Sequence, residues 1–212
     1  MSGESTEAII EIRHQYGVTR LPWGSTGIIP VAAGNGVADV GATVHVTDTG
    51  YVWLEPSDRV RNVVVYVPEG GAYRYLEVSK AEAGGLKLKA QLHNGDEVLL
   101  ALNRSGEAAA KLRVVYTQDG VILIADNGRY VDVKAGEQLD IGRDLLKKLG
   151  YGVVDVVSSK HARIIVDRSP DGRPVAFVTD IGSTNGTAVR SAHGKMYILY
   201  AGRADNKAPV LG

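Results

Sequence analysis

Three short segments of the chain carry residue types suited to holding an anion. They are Ile141-Gly142-Arg143, then Ser158-Ser159-Lys160-His161-Ala162-Arg163-Ile164, then Asp180-Ile181-Gly182-Ser183-Thr184-Asn185-Gly186-Thr187. Arg143 presents a planar fork of donors that matches a phosphate bidentately. Ser158 and Thr184 supply hydroxyl donors, and Ser159 can add a third. Asn185 combines an amide donor with a carbonyl acceptor, and an extended peptide backbone offers one of each in return. The set lacks a carboxylate placed as a base, a metal-ligand cluster and an activated nucleophile. Its chemistry is that of gripping an anion attached to a peptide, not of transforming it.

Such residues act together only if the elements between them bring the segments to one place. The sequence reads as strands nearly throughout. Turn pairs recur at Asn35-Gly36, Asn94-Gly95, Asp119-Gly120, Asn127-Gly128 and Asp171-Gly172. Between them lie short β-branched runs such as Val63–Val67, Val121–Ile124 and Ala162–Val166. Asn127-Gly128 predicts a hairpin, and so does the turn Asn103–Glu107 between Asp96–Leu102 and Leu112–Tyr116. One helix is expected, Asp144–Leu149, with Gly150 as its stop. The fold class is therefore all-β, with two sandwich-like domains, 1–117 and 118–212, parted near Gln118–Gly120. Loops of a sandwich cluster at its ends, so the three segments are expected to meet at one end of the second domain.

Composition narrows the field. The 212 residues hold 24 basic and 24 acidic side chains, which disfavours a broadly basic nucleic-acid binder. Residues 1–110 hold 13 acids and 9 bases, whereas residues 111–212 hold 11 and 15, so an anion-binding bias falls in the second half. The absence of cysteine removes disulfides, thiolate metal sites and cysteine nucleophiles. No apolar run approaches the roughly 20 residues of a membrane span, and the N-terminus has no secretory pattern, so a cytoplasmic protein is expected. No cofactor and no metal is expected. His45-x-x-Asp48 offers only two ligands in a β pattern, with His14 and His93 unplaced.

Gly142-Arg143, Ser158-x-x-His161 and Thr184-Asn185-Gly186, in this order, resemble the forkhead-associated (FHA) domain over about Val121 to Thr187. That family is a β-sandwich that binds phosphothreonine peptides. The resemblance implies that Arg143 and Ser158 contact the phosphate. It implies that Thr184 lines the phosphothreonine pocket, that Asn185 bonds the peptide backbone, and that Ser159 and Lys160 flank the site. His161 would pin the binding loops without touching the phosphate, Gly142 would shape its turn, and Gly186 would support the third loop. Two stretches depart from the family. Asp144–Gly152 replaces an Asp/Asn-rich turn, and after Met196–Tyr200 the tail offers little more than Pro209-Val210-Leu211 as a closing strand. The closing strand is thus short, displaced or supplied elsewhere.

The resemblance implies a phosphothreonine-dependent adaptor. Its partner would be a phosphothreonine protein made by an upstream Ser/Thr kinase, with no nucleic acid and no membrane span involved. The alternative is a structural or assembly protein that uses the same fold without phosphate. An enzyme in 1–117 finds no support in a Walker loop, a Gly-x-Ser-x-Gly elbow or a metal cluster. An immunoglobulin-like or related sandwich is expected for that half, and Trp53 could face either the core or an interface. Lys147-Lys148 and the remaining charges read as solvated faces. Thr6, with Ile9 three residues on, makes the N-terminus a self-recognition candidate if phosphorylated.

Overall fold

The computed structural model describes residues 9–32, 38–49, 51–58, 60, 62–80, 86–103, 105–152, 154–199 and 208–211. Thr6 lies outside them, whereas Ile9 is the first residue described. The chain begins with β1 (Ile9–His14), β2 (Gly17–Pro22), β3 (Thr26–Ala32), β4 (Ala38–Val46) and β5 (Val52–Pro56). Then come β6 (Asn62–Glu69), β7 (Ala72–Lys80), β8 (Leu86–Leu92), β9 (Glu97–Leu102) and β10 (Ala108–Tyr116). β11 (Gly120–Ile124), β12 (Tyr130–Lys134) and β13 (Gln138–Ile141) lead into α1 (Arg143–Lys148). The chain closes with β14 (Ala162–Arg168), β15 (Pro174–Asp180), β16 (Thr187–Arg190), β17 (Met196–Ile198) and β18 (Ala208–Leu211). The all-β expectation holds, and α1 is the only helix among the described residues.

The strands form three sheets. One has eight strands in the order β13-β14-β15-β8-β7-β6-β1-β2, one has six in the order β12-β11-β10-β9-β16-β17, and one has four in the order β18-β5-β4-β3. Alternation dictates the layers. In β6 Val63, Val65 and Val67 point inward, and in β7 Leu76 and Val78 do the same, while the residues between them face out. Ile12, Val52, Leu54, Val65 and Val67 line one interior cleft, where the four-stranded sheet faces β1 and β6. The second sandwich buries Leu88, Leu100, Leu112, Leu123, Ile141, Ile164 and Val178.

A cut between 117 and 118 falls on the turn of the β10–β11 hairpin, closed by the Thr117 N–H donating to the Gly120 carbonyl at 2.9 Å. β8 pairs with β15 and β9 with β16, so strands from before that turn complete the sheets after it. The eight-stranded sheet is continuous from one half to the other through the β7–β8 pair. A polar, glycine-bearing turn reads the same in a hairpin as in a linker, which is why the sequence suggests a boundary there. The tail divides. β17 pairs with β16, whereas β18 crosses to the first half and pairs with β5.

The reading of the remaining charges as solvated faces fails at one place. Arg74, Glu69 and Asp96 are buried, and Arg74 is wholly inaccessible. Arg74 donates to both carboxylates and to the Gln91 carbonyl, and Tyr197 donates to Glu69. Glu69 and Arg74 flank the β6–β7 turn, Asp96 precedes β9 and Tyr197 lies in β17, so the cluster joins the two halves. Trp53 stacks on His45 with centroids 5.1 Å apart, and His45 meets Glu55 at 2.6 Å.

Candidate functional site

The anion-gripping residues lie between strands, Arg143 after β13, Ser158 before β14, and Thr184 and Asn185 between β15 and β16. β13 delivers Gly142 and Arg143, with Arg143 as the first residue of α1. The helix is anchored by buried Leu146 beneath exposed Lys147 and Lys148. Its exit is held by Asn127, whose amide donates to the Leu149 carbonyl at 2.8 Å, and by Tyr151, whose hydroxyl donates to the Lys111 carbonyl at 2.6 Å. The family's Asp/Asn-rich turn is thus replaced by a packed helical turn.

Hydrogen bonds bring the three segments together. The Arg143 N–H donates to the Ser158 carbonyl at 3.3 Å, and Nε donates to the Val157 carbonyl at 2.8 Å. The Ser158 hydroxyl oxygen accepts the Thr184 N–H at 3.1 Å. The Asn185 amide donates to the Val156 carbonyl at 2.8 Å. Arg143, Ser159, Thr184 and Asn185 are exposed and Ser158 is half-buried. The arginine keeps its two terminal nitrogens uncommitted among the described residues, and Ser158 keeps its hydroxyl proton to donate. Lys160 is exposed in the same loop.

His161 is fully buried beneath this array. Its Nδ1 accepts the Ser158 N–H at 3.1 Å, which leaves the proton on Nε2 to donate to the Gly186 carbonyl at 2.7 Å. Its backbone N–H donates to the Ile141 carbonyl and its own carbonyl accepts from Ile181. One residue therefore ties all three segments. Gly142 is extended, with φ −156°, so no special turn requires a glycine there. The reason is contact: a Cβ would lie 1.9 Å from the Ser159 carbonyl oxygen. Gly186 is left-handed, with φ +88°, and buried.

Sequence reasoning missed the braces of the third loop. Asp180 Oδ1 accepts the N–H groups of Gly182 and Ser183, each at 2.9 Å, and Oδ2 accepts the hydroxyls of Ser183 and Thr187. An Asp heading a Gly-Ser turn is the signal that could have found it. β9 also holds this loop. The Ala101 N–H donates to the Gly186 carbonyl at 3.0 Å, and the Leu102 N–H to the Asn185 carbonyl at 2.9 Å. No pattern in the sequence points to that contact.

The arrangement presents several outward donors above a rigid base. Among the described residues no group of three or more His, Asp or Glu is placed to hold a metal ion, and no helix is long and apolar enough to cross a membrane. No curated protein and no solved structure matches the chain. The family model of the FHA domain matches residues 139–203, which span β13 to β17 and all three loops of the site. The C-terminal half of this chain carries an FHA domain, a phosphopeptide-binding type of protein-interaction module.

Proposed function

We propose that the chain is a phosphothreonine-dependent adaptor that recruits a partner phosphorylated by a Ser/Thr kinase in the cytoplasm. One observation carries the reading. Arg143, Ser158, Thr184 and Asn185 are linked through their loops, yet the terminal guanidinium nitrogens and the Ser158 proton stay available. A phosphate of charge about −1.5 to −2 would accept from Arg143 and Ser158 by charge-assisted bonds. Exposed Ser159 and Thr184 flank that position. Asn185, with its amide fixed on Val156, would hold the peptide backbone through Oδ1.

The module proposed to bind includes β8 and β9, which lie before 118, because β8 pairs with β15 and β9 holds the Asn185 loop. The test therefore uses the full chain. A library of phosphothreonine peptides is titrated by fluorescence anisotropy beside phosphoserine and unphosphorylated versions. Binding that disappears without the phosphate supports the adaptor, and threonine preferred to serine supports the residue assignment. A partner captured equally well before and after phosphatase treatment would favour the assembly role instead.

A further inference from the structure

Ala101 has φ +59° and is the only non-glycine residue with positive φ among the described residues. It is 4% exposed and lies in β9, far in sequence from the three segments of the site. Left-handed backbone is unfavourable for any residue with a Cβ, so a neighbouring contact must hold it there. That contact is visible. In an extended strand, successive N–H groups point to opposite sides. A left-handed residue turns two successive N–H groups to the same side. Here the N–H groups of Ala101 and Leu102 both reach the third loop, on the carbonyls of Gly186 and Asn185. The Gly186 carbonyl also accepts from His161, so it is fixed from two directions.

We infer that Ala101 is a positioning residue for peptide binding: its left-handed backbone clamps the Asn185-Gly186 unit and so fixes the asparagine that meets the ligand. This rests on the phosphopeptide reading above. Without the clamp the loop keeps its His161 and Asp180 ties, yet the Asn185 carbonyl loses its donor. The Asn185 side chain then swings with its backbone.

Two substitutions of similar size separate backbone geometry from packing. Asparagine tolerates the left-handed region, whereas β-branched threonine is an outlier there. Ala101→Asn in the full chain should bind a phosphothreonine peptide within about threefold of the unmodified protein, and Ala101→Thr about tenfold more weakly. In an Asn185→Ala background the two variants should bind alike, because the clamp acts through Asn185. Amide hydrogen exchange on the peptide-free chain gives an independent reading. Ala101→Thr should lose protection at the residue 101 and 102 amides, and Ala101→Asn should keep it.

Equal affinity for the two variants overturns the inference. So does a threonine penalty that persists in the Asn185→Ala background, which would mark a general packing defect. If Ala101→Thr does not fold, Ala101→Ser takes its place and should keep both affinity and protection less well than Ala101→Asn; the reverse order overturns the inference. Failure of the unmodified chain to bind any phosphopeptide overturns the function proposed above, and equal amide exchange then removes the clamp separately.

Discussion

At the junction of the two halves Arg74 commits all five of its N–H donors, whereas at the loop end Arg143 commits one. Arg74 reaches Glu69 at 2.9 and 3.2 Å, Asp96 at 2.6 and 3.0 Å, and the Gln91 carbonyl at 2.8 Å. Its guanidinium also lies 4.7 Å from the centre of the Tyr197 ring. Arg143 gives only Nε, to the Val157 carbonyl, and its fork faces solvent. The same side chain thus serves two ends. Saturated and buried, it joins elements from different parts of the chain. Anchored by one nitrogen and otherwise open, it is the arginine we propose to meet a ligand that brings its own acceptors. Burial and unsatisfied donor capacity, not residue type, distinguish the two.

Breaking the junction should have the largest effect. Arg74→Met leaves Glu69 and Asp96 buried without their cation, and removing one partner of a buried ion pair costs about 3–5 kcal/mol. Urea denaturation should show that loss, while the folded fraction binds phosphopeptide as before. Acid should act on the same cluster. Burial raises the Glu69 pKa, but hydrogen bonds from Arg74, Tyr197 and Ser191 outweigh it and hold the carboxyl at about 2, below its ordinary 4.5. A depressed carboxyl contributes stability that is complete above about pH 4.5 and is lost as the pH falls toward 2. Glu69→Gln should flatten the stability profile across that window. A variant with an unchanged profile would mean that Glu69 titrates normally and that Arg74 is not the junction's keystone.

Breaking the open end should move affinity and leave stability alone. Arg143→Ala removes two charge-assisted bonds of about 1.5–3 kcal/mol each, so phosphopeptide affinity should fall at least roughly a hundredfold. The melting curve should not change, because the side chain is exposed. Undiminished affinity would remove Arg143 from the site and end the contrast with Arg74.

The two arginines also differ in how far the sequence reveals them. Arg143 was legible because it precedes Ser158-x-x-His161 and Thr184-Asn185-Gly186 in an ordered pattern, and such loops cluster by geometry. The hairpin over Asn127-Gly128 was legible for a similar local reason, although its loop runs from Ala125 to Arg129. Arg74 carried a quieter signal. It shares parity with Leu76 and Val78, the inward residues of β7, and that parity puts a charge in the core. Its hydrogen-bond partners Glu69, Gln91 and Asp96 lie 5, 17 and 22 residues away, while the Tyr197 ring comes from a strand more than 100 residues on, a meeting that no local pattern specifies. The same limit applies to β18, whose short apolar run does not say which edge it will join. It applies to Ala101 too, because a left-handed alanine has no compositional mark.

His161 stands between the two cases, being buried like Arg74 and touching the loops that carry Arg143. His161→Ala leaves the Ser158 N–H without its acceptor and takes one donor from the Gly186 carbonyl. An unsatisfied buried group costs about 1–3 kcal/mol, so stability should fall by that order and affinity with it. Melting and titration should therefore shift together. A variant that melts normally and yet loses phosphopeptide would assign His161 to the ligand rather than to the loops.

The smallest expected change is the most exacting for Arg143. Arg143→Lys keeps the positive charge but removes the planar fork and the Nε that now bonds the Val157 carbonyl at 2.8 Å. A lysine ammonium is a point charge on a flexible stem, so it can meet one phosphate oxygen at a time and must be immobilised on binding. Affinity should recover part of what Arg143→Ala loses and settle about tenfold below the unmodified chain. The fold should melt nearly as before, since the only side-chain bond lost is that from Nε to the Val157 carbonyl, and neither terminal nitrogen has a partner in the described structure. Titration of one phosphothreonine peptide into all three proteins orders them as arginine, lysine, alanine. If lysine binds as tightly as arginine, charge alone holds the phosphate, and the Val157 anchor does not preorganise the site. If lysine binds no better than alanine, the fork carries the whole interaction, and the contrast with the saturated fork of Arg74 becomes sharper.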